Sequence, residues 1–234
     1  MKILSVIPAR SGSKGLKDKN IRALDGLPLL GYAGIVSNNS KLINKTILSS
    51  DSSLYQSVAK KFRIESPFTR PKEISGDMIS DIDVLSHALV SAEDYYKTYF
   101  DYVVMLQPTS PFRTSNLIDE SINELIKKKF DALWTVSEIS KKFHPYKQLE
   151  IDKNKICFFN ERGSKIIARQ QLSKTYIRNG QCYVFSRSAI KKNKSVMTDN
   201  TGFLITPNHP NIDDINDFKS AEKHFKIYKK INSL

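Results

Sequence analysis

Short apolar runs and helix-periodic segments take turns along this chain, and the alternation narrows the folds open to it. The runs at 3–7, 46–49, 102–106, 132–136 and 183–185 are too short for buried helices and read as strands. Between them apolar residues recur every three and four positions. Ile82, Leu85, Ala88 and Leu89 do so after Ser80, and Leu117, Ile118, Ile122 and Leu125 after Thr114. Ser80 or Asp81 is placed to cap the first of these helices. A last helix over 215–228 carries Phe218, Ala221, Phe225 and Tyr228 on one stripe. Strand then helix, repeated through residues 1–135, predicts an α/β fold: a mostly parallel sheet flanked by helices. One domain spanning 1–234 accommodates it. Residues 137–174 break the rhythm, being polar and basic with short apolar pieces, and read as an inserted hairpin or arm.

Composition removes several function classes. A hydrophobic content of 40% with nine Gly and nine Pro describes a folded globule. No apolar stretch nears the roughly 20 residues that span a bilayer. The opening MKILSVIPAR meets Arg10 and Lys14 with no small-residue cleavage site, which fails as a signal peptide. Cys157 and Cys182 lie far apart without metal-ligand spacing, so a reducing, cytoplasmic setting is expected. The formal charge of +13 admits two partners: a nucleic acid, or a polyanionic small molecule held in a basic cleft. Lysine runs such as Lys127, Lys128 and Lys129, or Lys229 and Lys230, read as solvated helix faces, and no nucleic-acid-binding motif accompanies them.

The loop after the first strand is the densest chemistry in the chain. In IPARSGSKGLKDKNI (7–21), Gly12 and Gly15 sit among Arg10, Ser11, Ser13, Lys14, Lys19 and Asn20. Glycines let backbone N–H groups turn toward an anion, and ligands of α/β sheets collect at the C-terminal ends of strands. Neither standard phosphate motif fits. A Walker A loop needs Lys after its second glycine, and here Leu16 follows; a dinucleotide fingerprint needs glycine where Arg10 stands.

This loop resembles the signature of the acylneuraminate cytidylyltransferases, which make CMP-sialic acids from CTP and a free nonulosonic acid. The resemblance continues in order along nearly the whole chain. SSD (49–51), TRP (69–71), SDIDVLSHAL (80–89), LQPTSPFR (106–113), HPYK (144–147), RQQLSKTYIRNGQCYVF (169–185) and NIDDINDF (211–218) are all similar to family elements. It implies a Rossmann-like nucleotidyltransferase sheet in which 137–174 is a dimerisation arm. A homodimer, CTP and a nonulosonic acid are then the partners, with no nucleic acid or membrane.

The same resemblance implies roles. Arg10 and the loop backbone, with Gly12, Ser13, Lys14 and Gly15, would hold the triphosphate. Lys19 would add charge where pyrophosphate leaves, Asn20 would hydrogen-bond nearby, and Arg70 and Ser80 would line the cytosine pocket. Gln107, Lys147, Arg169, Tyr183 and Phe203 would meet the sugar, with Lys147 reaching the neighbouring subunit. Mg²⁺ is the implied cofactor. The family pattern Asp-Ile-Asp reads Asn211, Ile212, Asp213 here. Asp213 is therefore the expected metal ligand and catalytic carboxylate, with the uncharged Asn211 behind it. N-acetylneuraminate is the first acceptor expected and legionaminate the second. Pseudaminate and the eight-carbon sugar Kdo fit less well, the latter because the Kdo enzymes lack the SGSKG form of the loop.

Overall fold

The computed structural model describes residues 1–192 and 195–232, with side chains through Ile227. In chain order its elements are β1 (Ile3–Pro8), β2 (Ala23–Leu24), β3 (Leu27–Pro28), α1 (Leu29–Asn38), β4 (Lys45–Ser49), α2 (Ser53–Lys60) and α3 (Asp81–Tyr96). Then come β5 (Tyr102–Met105), α4 (Ser115–Lys128), β6 (Ala132–Glu138), β7 (Leu149–Asp152) and β8 (Lys155–Phe158). The chain finishes with β9 (Tyr176–Ser186), α5 (Arg187–Lys192), β10 (Thr201–Ile205) and α6 (Ile215–Asn232). Six strands form one sheet in the order β10-β6-β9-β5-β1-β4. All run parallel except β9, which is antiparallel to both β5 and β6.

Helices on both faces explain why the strands read as unbroken apolar runs. Along β1, Ile3 and Ile7 point into one layer with α1, α2 and α4, while Leu4 and Val6 point into the other with α3 and α5. The predicted cap holds at α3, where Ser80 accepts from the Asp83 N–H; at α4 Thr114, not assigned from sequence, accepts from the Leu117 N–H. Tyr228, the last position of the predicted C-terminal stripe, lies outside the described side chains, as do Lys229 and Lys230. Phe218, Ala221 and Phe225 of that stripe pack on Leu16, Leu24, Leu29, Phe112 and Ile212. This third cluster matters most for the site. It clamps the opening loop, the turn after β5 and the segment before α6 into one body.

Strand β9 is the main departure from the expected pattern, running eleven residues where only 183–185 read as strand. Its first half is exposed at Tyr176 and Ile177, then passes through Asn179, Gly180 and Gln181, residues that signal a turn. Gly180 has φ +69, and the β6 register slips between Trp134 and Val136 at the same level. A bulge therefore sits inside the strand, hiding its period. The irregular stretch 137–174 contains the hairpin β7–β8, turned by Lys153 and Asn154 with φ of 46 and 67, a two-residue turn with both centres left-handed. All eight strand residues of this hairpin are exposed. Among the described residues no helix is long and apolar enough to cross a membrane.

Candidate functional site

Strand β1 lies between β4 and β5, so the chain's connections leave it toward opposite edges of the sheet. That reversal opens a crevice at the strands' C-terminal ends, where open α/β sheets take ligands. A cavity of about 570 Å³ fills it. Pro8 and Arg10 at the end of β1, and Gln107, Pro108 and Thr109 beyond β5, form facing walls. Ser13, Lys14, Gly15, Lys19, Asn20, Arg70 and Asp213 also line it, so nine of the predicted site residues converge there, counting Arg10 and Gln107.

The opening loop is held by hydrogen bonds to Asp51 and within itself. Asp51, just past β4, accepts from the Ser11 N–H at 2.9 Å and from the Ser11 hydroxyl at 2.8 Å. Burial pushes the Asp51 carboxyl up, but those two hydrogen bonds and nearby Arg70 outweigh it, leaving the group below the usual carboxylate range. Buried Asn20 donates from Nδ2 to the Arg10 carbonyl at 3.1 Å, which closes the loop on itself. Of the two glycines only Gly15 is sterically required. A Cβ there would stand 2.6 Å from the Asp213 carbonyl oxygen, whereas nothing lies within 4 Å at Gly12.

Three cations of this loop project onto carboxylates that stand inside the cavity. Arg10 and Lys14 both pair with Asp77, Lys14 at 2.5 Å, and Lys19 Nζ meets Asp213 Oδ1 at 2.9 Å. Lys14 and Arg10 hold the Asp77 carboxyl well below its ordinary range. Arg70 is buried and donates from Nε to the Ser75 hydroxyl; burial lowers its pKa, with Asp51 opposing and Arg10 adding to the effect. The wall thus carries a concentration of positive charge whose paired carboxylates are Asp77 and Asp213, an arrangement that an incoming polyanion can take over.

Around Asp213 the backbone is organised by capping. Asp214 accepts from the N–H groups of Asn216 and Asp217, and Asp217 in turn accepts from the N–H groups of Asp213 and Asp214. Asp214 therefore starts α6, and Asp213 is the acidic side chain left facing the cavity. Asn211 lines it too, with Oδ1 3.4 Å from the Ser110 hydroxyl. Asp213 and Asn211 offer one carboxylate and one amide oxygen. That donor set suits a hard cation which keeps waters and takes its remaining ligands from phosphate, as Mg²⁺ does. Among the described residues no group of three or more His, Cys, Asp or Glu side chains forms a self-sufficient metal cage.

The remaining predicted residues are distributed differently. Gly12 and Ser80 flank the cavity without lining it, Ser80 being engaged with Asp83. Tyr183 is buried, its hydroxyl accepting from the Gly180 N–H at 3.0 Å. Lys147 and Arg169 lie exposed in single turns of the inserted segment, and Phe203 is 62% exposed on the edge strand β10. His144 is buried, with Nδ1 accepting from the Tyr146 N–H, a turn cap.

A second cavity of about 770 Å³ shares Asn211 and Asp213 with the first. Arg178 and Asn179 line it, and sequence reading had assigned neither. Arg178 stacks on the Trp134 ring with its guanidinium carbon 5.1 Å from the ring centroid. Asn179 is buried and bonded to Thr135, Ser137 and Thr206. Asp81, also unassigned, lines the first cavity; burial raises its carboxyl pKa against the pull of Arg178. The NG pair at 179–180 was the available signal, since a buried turn dipeptide within a strand marks a functional bulge.

The comparisons with known proteins agree with this geometry. The family model described as cytidylyltransferase matches residues 4–224. A CMP-N,N'-diacetyllegionaminic acid synthase of Campylobacter jejuni is 33% identical, over 94% of this chain and 93% of its own. An N-acylneuraminate cytidylyltransferase of Escherichia coli is 32% identical, over 80% of this chain and 44% of its own. Among solved structures, a CMP:2-keto-3-deoxy-manno-octonic acid synthetase complexed with CTP superposes with a TM-score of 0.72, covering 97% of this chain and 100% of that one. At 14% identity that likeness speaks for the fold. A basic crevice at the switch point of this sheet, in a chain matched nearly end to end by the family model, leads to one assignment: the chain belongs to the cytidylyltransferase family and is a nucleotidyltransferase.

Proposed function

We propose that this enzyme transfers CMP from CTP to the C2 hydroxyl of a nonulosonic acid and releases pyrophosphate. The observation that carries the reading is the convergence of Arg10, Lys14 and Lys19 on carboxylates that a triphosphate can replace. In the reaction the C2 oxygen bonds to the α-phosphorus, the bond from that phosphorus to the β-phosphate bridging oxygen breaks, and the hydroxyl proton leaves. Catalysis of such a step is positioning plus charge stabilisation. Arg10 and Lys14 hold the triphosphate, Lys19 meets the leaving pyrophosphate, and Arg70 borders the base. Asp213, with Asn211 behind it, would hold Mg²⁺, which supplies charge neutralisation on the phosphates.

The acceptor belongs in the second cavity, with Gln107 on the wall facing the nucleotide. A C1 carboxylate matches a guanidinium, which Arg178 supplies, while the fully bonded Asn179 amide holds the wall beside it in shape. N-acetylneuraminate is the first reading. N,N'-diacetyllegionaminate is the second, supported by the 33% identical relative matched over 94% of this chain and 93% of its own. Pyrophosphate release with CTP, Mg²⁺ and each of N-acetylneuraminate, N,N'-diacetyllegionaminate, pseudaminate and Kdo, ranked by kcat/KM, decides between them. Release with one of the first two is expected; turnover with Kdo alone would remove the reading.

The exposed hairpin supports a homodimer. Ile151 and Ile156 are 80% and 68% exposed on facing strands, a paired apolar surface of the kind that marks an interface. Lys147 and Arg169 belong to the same exposed segment and line neither cavity, which is consistent with Lys147 serving the site of a second copy. Sedimentation should give a dimer, and the double change Ile151→Asp with Ile156→Asp should give a monomer. A wild-type monomer at micromolar concentration would rule the arm out.

A further inference from the structure

Arg113 is buried, yet none of the ion pairs among the described residues includes it. Its Nη2 donates to two carbonyls at once, that of Gln107 and that of Gly180 at 3.2 Å. Nε and Nη1 find no side-chain or backbone partner. Burial pulls its pKa down to about 10, so it remains a cation at neutral pH. A buried cation without an anion is a poor way to stabilise a core, and an apolar side chain of similar volume would serve packing better. What the guanidinium does contact is specific. Gln107 lines the nucleotide cavity, and Gly180 is the left-handed residue of the β9 bulge beside it.

The two anchored groups also meet directly. A Cβ on Gly180 would stand 2.7 Å from Gln107 Oε1 and 2.6 Å from the Ser110 hydroxyl. Ser110 in turn donates to the Asn179 carbonyl at 2.9 Å. One nitrogen therefore fixes the distance between the turn after β5 and the bulge in β9, and with it the Gln107 side chain. We propose that Arg113 is a positioning residue for the acceptor: it locks Gln107 and the Gly180 turn together as the wall between the two cavities. The inference rests on the acceptor lying against Gln107, as the proposed function has it. Lysine cannot reproduce the contact, because its side chain places the ammonium where the guanidinium carbon stands, one bond short of Nη2 and of the two carbonyls it joins.

A double-mutant cycle tests it, using the full-length enzyme and the acceptor of highest kcat/KM. Arg113→Lys should lower kcat/KM for the acceptor on the order of 10²-fold, the effect of a small misplacement at a reacting centre. The dissociation constant for CTP should stay within about twofold. In a Gln107→Ala background the same substitution should cost no more than about twofold further, because Arg113 acts through Gln107. Equal losses in both backgrounds, or CTP binding lost in step with the acceptor, would overturn the proposal. Should Arg113→Lys not fold, Gly180→Ala leaves the arginine in place and crowds Gln107 directly. It must then give the same acceptor-selective loss, and unchanged acceptor kinetics there would equally overturn the proposal. Wild-type enzyme silent with every nonulosonic acid would sink the proposed function and this inference together; an active wild type with additive losses sinks only the inference.

Discussion

Arg10→Ala is expected to lower kcat/KM for CTP by about 10³-fold, or about 4 kcal/mol of transition-state stabilisation. Arg10 sits at the end of β1 with its side chain about a third exposed, and its partner is Asp77. Solvent screens a pair of that exposure, so the variant should melt close to wild type. The loss should therefore be kinetic. Arg10→Lys should recover part of it, since lysine supplies charge without bidentate geometry on phosphate. Stopped-assay kinetics of the three enzymes under saturating acceptor check this. An Arg10→Ala enzyme within tenfold of wild type would mean that the triphosphate lies elsewhere.

The second large effect separates two neighbours. Asp213→Ala should cost on the order of 10²–10³-fold in kcat, because it removes the only carboxylate facing the cations of the loop from this segment. Asn211→Ala should cost roughly tenfold or less, since an amide oxygen adds no charge to a hard-cation site. Asn211→Asp restores a second carboxylate and should lower the Mg²⁺ concentration needed for half-maximal rate. Titration of Mg²⁺ against rate for all three variants gives the answer. Equal losses at 211 and 213, or an indifferent Asp213, would mean that the metal is held by other groups.

How much of this was readable from the chain differs by element. Strand β1 and helices α3 and α4 announced themselves because burial on two faces or on one stripe leaves an unambiguous period. Strand β9 did not, since its bulge at Gly180 breaks alternation just where the site needs it. The basic opening loop was legible as an anion site from residue types alone. Asp77, whose carboxylate holds two of its cations, was not, because it lies in a polar loop 63 positions beyond Lys14 with no periodic signal. Arg178 and Arg113 were also missed, though both stand in quoted motifs. A cation in a basic sequence carries little information until burial or stacking singles it out, as the Trp134 ring does for Arg178. Asp214 shows the converse. It stands beside the expected metal ligand Asp213 but carries no site role, and its side chain caps α6.

The proposed phosphate site accounts for this loop's departure from the Walker and dinucleotide patterns. Only Gly15 needs to be glycine here, because the opening loop passes close to the backbone at Asp213. In the proposed function side chains meet the anion instead, from a loop tied down at Ser11 by Asp51 and at the Arg10 carbonyl by Asn20.

The most direct test of this account is product analysis after incubating the purified enzyme with CTP, Mg²⁺ and either N-acetylneuraminate or N,N'-diacetyllegionaminate. One pyrophosphate should appear for each CTP consumed, together with an equal amount of the CMP-linked sugar, and neither should form without the sugar. Nucleotide hydrolysis that ignores the sugar, or CTP left intact with both acceptors, would contradict it.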